Sequence, residues 1–74
     1  MSKRYSAAIR KVAANKMFLE GKVQEFMGYL ELGHAPGVEA SREQVHALTD
    51  VYLDSLQDVH TIAQEDASRE RRKY

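Results

Sequence analysis

The stretch ELGHAPGVEASREQ, Glu31 to Gln44, separates two segments that both carry helical periodicity, and its reading decides the fold. Gly33 follows Leu32 at the point where a residue in the left-handed conformation stops a helix. Pro36 opposes resumption of that helix, and Pro36-Gly37 is a turn signal in its own right. Further on, Ser41-Arg42-Glu43-Gln44 has the spacing of a capping box, with the Ser41 hydroxyl and the Gln44 amide positioned to satisfy each other's backbone N–H groups. Glu43 in the first turn favours the positive end of the helix dipole. These signals predict a turn over 33–41 and a second helix that starts at Arg42.

On the N-terminal side, apolar residues recur as Tyr5, Ile9, Val12, Leu19, Val23, Phe26 and Leu30, with Lys16 as the single break. Steps of four and three alternate throughout, which is the heptad pattern of an amphipathic helix. The spacing predicts a helix over 4–32, roughly 40 Å long. Lys16 falls on the seam, where its aliphatic stem packs and its ammonium group reaches outward. Gly21 costs about 1 kcal/mol relative to Ala and makes the middle of this helix its weakest part. On the C-terminal side, Val45, Leu48, Tyr52, Leu56, Val59 and Ala63 form the periodic face of a helix over 42–68. A polar, charge-dense tail, 69–74, follows.

The pattern predicts an all-α chain, a single helical-hairpin domain over 1–74 whose two helices run antiparallel. One hairpin buries only one stripe of each helix. The interface residues Phe18, Met27, Tyr29, Val51, Tyr52 and Ile62, together with Met17, cannot all face a single partner helix, and an exposed patch of that kind marks an association surface. The expected assembly is a homodimer forming a four-helix bundle, or a larger helical oligomer. Phe18→Asp or Met27→Asp is expected to disrupt it.

Formal net charge is zero, but nine of the 11 Lys and Arg residues lie near the termini. Between Met17 and Gln64 only Lys22 and Arg42 are basic, so a folded-back chain is basic at its open end and acidic toward its turn. Lys3, Arg4, Arg10, Lys11, Arg69, Arg71, Arg72 and Lys73 are the candidates for a phosphate-binding patch on a nucleic acid, with Tyr5 and Tyr74 available for stacking. Glu65, Asp66 and Glu70 dilute that patch, and no recognised nucleic-acid motif accompanies it.

Glu43, His46 and Asp50 are the weak metal candidates, because Glu43 and His46 have the Glu-x-x-His spacing of metal-binding bundles. The other helix offers no seam carboxylate to complete such a site, so neither a metal nor any other cofactor is expected. There is no Cys, no nucleophile constellation and no phosphate-cradling glycine loop, and the expected activity is not enzymatic. No Sec-type signal and no bilayer-spanning stretch is read, which leads to the expectation of a soluble cytoplasmic chain without a membrane partner. The functional expectation is a protein-interaction module, an adaptor, regulator or assembly factor. A nucleic-acid-binding regulator and a metal-binding bundle are the alternatives.

Overall fold

The computed structural model describes residues 2–72. Two helices, α1 (Lys3–Leu32) and α2 (Ala35–Arg72), pack antiparallel as a hairpin 62 Å long and 14 by 12 Å across. No helix among the described residues is long and apolar enough to cross a membrane.

Helix α1 starts at Ser2, whose Oγ accepts from the Tyr5 N–H at 3.1 Å as an N-cap. The same hydroxyl donates to Asp66 of α2 at 2.8 Å, so the cap also fastens the open end of the hairpin. At the other end Gly33 takes φ 67°, the left-handed conformation expected of it. The Gly33 N–H donates to the Leu30 carbonyl at 3.2 Å and the His34 N–H to the Tyr29 carbonyl at 3.1 Å. Those two bonds make a complete Schellman motif, and the rings of His34 and Tyr29, 5.6 Å apart, supply the side-chain contact that accompanies it.

Helix α2 begins at Ala35, not at Arg42, and the turn is correspondingly shorter than 33–41. Pro36 is the second residue of the helix, where its missing N–H is one of the donors that lack a partner in any first turn. His34 performs the capping, its Nδ1 accepting from the Gly37 N–H at 3.0 Å. Ser41 therefore lies inside the helix, six residues past its start. The helix also runs past 68 to Arg72, so most of the expected tail is its last turn; Lys73 and Tyr74 lie outside the described residues.

The seam between the helices is regular but rotated by one position from the apolar pattern on α1. The covered positions there are Tyr5, Ala8, Val12, Asn15, Leu19, Lys22, Phe26 and Tyr29, spaced three and four. Ile9, Lys16 and Leu30 lie outside it. Lys16 reaches Glu20 on the surface at 4.0 Å, while the snorkelling lysine is Lys22, whose Nζ meets Glu25 at 2.9 Å. On α2 the seam runs Val38, Ser41, Val45, Leu48, Tyr52, Ser55, Val59, Ile62 and Asp66, an unbroken heptad alternation. Leu56 and Ala63 fall on its flank.

Ser41 and Ser55, two heptads apart, are the only buried residues among those described, at 2% and 3% exposure. Each satisfies its hydroxyl on its own helix, Ser41 to the Gly37 carbonyl and Ser55 to the Tyr52 carbonyl at 2.7 Å. Hydrogen-bonded and small, they cost little to bury and allow close approach of α1. Asp66 meets Ser2 at the open end and Gly37 lies against the Tyr29 ring at the turn. Interpolation between these two ends sets Leu19 level with Leu48 and Val12 near Ser55.

Candidate protein-interaction surface

None of the apolar side chains is fully buried among the described residues. A seam built from Ala8, Asn15, Ser41 and Ser55 holds two helices together without enclosing a core. Nine large apolar side chains stay exposed among the described residues, most of them beside the seam on two faces.

In an antiparallel pair, residues displaced to the same rotational side of the seam on both helices share a face. On the first face α1 presents Ile9, Ala13, Val23, Met27 and Leu30, and α2 presents Leu53, Leu56, Ala63 and Ala67. A groove bounded by Leu30, Val38, Glu39 and Arg42 near the turn, and another bounded by Tyr5, Ala63, Asp66 and Ala67 at the open end, both open on this side. Met27 is 47% exposed and Leu53 54%, although neither has a polar atom to offer water. Lys16 and Glu20 interrupt the apolar surface midway along α1.

The second face is more polar. Arg4, Lys11, Asp58 and Glu65 line its groove toward the open end. Arg4 donates to Glu65 at 2.7 Å and to Asp66 at 3.4 Å, ion pairs that hold the helices in register. Between the charges stand Phe18, 66% exposed, and Val51, level with each other on opposite helices.

The six residues expected at an interface therefore divide. Phe18 and Val51 lie on the second face and Met27 on the first, all exposed. Tyr29, Tyr52 and Ile62 are half-buried at seam positions within the hairpin. Sequence reasoning passed over Leu53, Leu56 and Leu30 as surface, because it placed the latter two on the seam and did not weigh Leu53. The usable signal is the serine pair: once Ser41 and Ser55 occupy the seam, Leu56 must leave it.

The basic candidates gather at the open end without forming a continuous cationic surface. Arg4 is committed to Glu65 and Asp66, and Lys11 shares its groove with Asp58 and Glu65. Lys3, Arg10, Arg69 and Arg71 are exposed, with Arg10 Nε donating to its own helix at the Ser6 carbonyl, 3.4 Å away. The Arg72 side chain and Lys73 lie outside the described residues. Glu43, His46 and Asp50 are exposed on α2, and among the described residues no three His, Asp or Glu side chains come together as a metal site.

Comparison with protein-family models, with curated proteins and with solved structures finds no match to this chain.

Proposed function

We propose that the protein is a small interaction module, an adaptor, regulator or assembly factor that works by binding protein and does so as a helical homo-oligomer. One observation carries this reading: the hairpin leaves nine large apolar side chains exposed and buries no apolar residue fully among the described residues. Each such side chain moved out of water contributes about 1.5 to 3 kcal/mol, so a second layer of helices supplies the core that one hairpin lacks. Two hairpins stacked face to face make a four-helix bundle, the smallest closed solution.

The clustering of Lys3, Arg10, Arg69 and Arg71 at one end favours a second reading, a regulator that binds nucleic acid. Size-exclusion chromatography with light-scattering mass separates the two. The interaction reading predicts a whole multiple of 8.4 kDa and an absorbance ratio at 260 and 280 nm typical of pure protein. A monomeric peak, or one that retains nucleic acid through the column, would overturn it.

A further inference from the structure

We infer that the occupant of the first face is a second copy of this chain, laid antiparallel, so that the turn of each hairpin lies over the open end of the other. The inference rests on the oligomeric reading above and adds to it a face, a partner and an orientation.

The polarity along α1 on this face is symmetric about its middle. Ile9 and Ala13 precede the charged pair Lys16 and Glu20, and Val23, Met27 and Leu30 follow it, each step being three or four residues. A two-fold axis midway between Lys16 and Glu20 superposes this stripe on itself in reverse. It brings Ile9 against Met27 and the small Ala13 against Val23, with Leu30 over the first turn of the other copy's α1. The axis also places Lys16 of each copy within reach of Glu20 of the other, so the one polar interruption meets its own complement.

Charge selects the same orientation. The open end carries Lys3, Arg4, Arg10, Lys11, Arg69 and Arg71 against Glu65, Asp66 and Glu70 and is net basic, whereas Glu25, Glu31, Glu39 and Glu43 outnumber Lys22 and Arg42 toward the turn. With turns at opposite ends, each basic end of an elongated hairpin lies along an acidic one. The alternative two-fold, with both turns at one end, stacks like charges. The turn lies about 16 residues from the axis, so the two faces overlap over roughly 48 Å, and at 14 Å wide they cover about 670 Å² against the roughly 800 Å² per partner of a stable interface.

Because the chain contains no Cys, a single spin label at Ser68→Cys, exposed on the outer side of α2, reports one distance per dimer. Pulsed dipolar spectroscopy should give about 60 Å in the antiparallel arrangement, from the helical rise on either side of the axis. A distance under about 30 Å would keep the dimer and overturn the orientation. Absence of any dipolar modulation would overturn the dimer itself, and with it the reading it rests on. The face is tested separately by mass: Met27→Asp should yield monomer and Phe18→Asp should leave the dimer whole. The reverse result would move the interface to the second face and overturn the inference.

Discussion

Asn15 is the residue at which sequence pattern and packing diverge most. It occupies a seam position on α1, level with Tyr52, and its Nδ2 is fully covered without a hydrogen-bond partner among the described residues. A covered amide donor left unpaired costs about 1 to 3 kcal/mol, and an apolar side chain of similar size there removes the cost. Asn15→Leu should therefore raise the urea midpoint of unfolding, by about 1 to 2 kcal/mol in stability. A lower midpoint would mean that the amide finds a partner in solution. Gly37 makes the opposite case. A Cβ built there falls within 2.7 Å of three ring carbons of Tyr29, so Gly37→Ala must displace the ring that seals the turn. The expected loss is about 1 to 3 kcal/mol, read in the same urea titration. Neither position was legible from the chain, because Asn15 interrupts no apolar run and Gly37 reads equally well as a turn residue.

At the scale of the element, the turn was legible in part. Gly33 announced the end of α1 and does end it, by the left-handed cap that glycine favours. The start of α2 was hidden because Pro36 signals a break and a first turn with equal strength, and because Ser41-x-x-Gln44 imitates a cap from inside a helix. What resolves the ambiguity is His34, whose ring nitrogen takes the Gly37 N–H. His34→Ala should cost about 1 kcal/mol, as loss of an N-cap does, and fray residues 35–38 in amide exchange. Ser41→Ala should leave that exchange unchanged, since the Ser41 hydroxyl bonds a carbonyl within α2 and caps nothing. The seam of α2 was misjudged for a related reason. Apolar periodicity selects Leu56 over Ser55, yet the hairpin needs a small residue where the helices meet, and a hydroxyl bonded to its own helix is cheap to bury. Ser55→Leu should push the helices apart at a cost of about 1 to 3 kcal/mol.

For the whole molecule, the antiparallel hairpin was legible because two long periodic segments joined by a Gly-stopped turn have few alternatives. The apolar surface was legible in amount but not in arrangement. Which large residues face out depends on the rotation of each helix, and that rotation is set by Ala8, Ser41 and Ser55, which hydropathy ignores. The resulting molecule is a thin rod whose most buried residues are two serines, with Met27, Leu53 and Leu56 among the large apolar residues exposed on one flank. In the proposed dimer the opposed charge of the ends adds a salt-sensitive contribution, so raising ionic strength through the Debye range should weaken it. On the proposed reading, folding of this chain is completed by association. Thermal unfolding followed by circular dichroism over a hundredfold range of protein concentration tests it most directly. If two chains share one core, the midpoint rises with concentration. A midpoint that stays fixed across the range, with a single cooperative transition, would show a hairpin that is stable alone and would contradict the account.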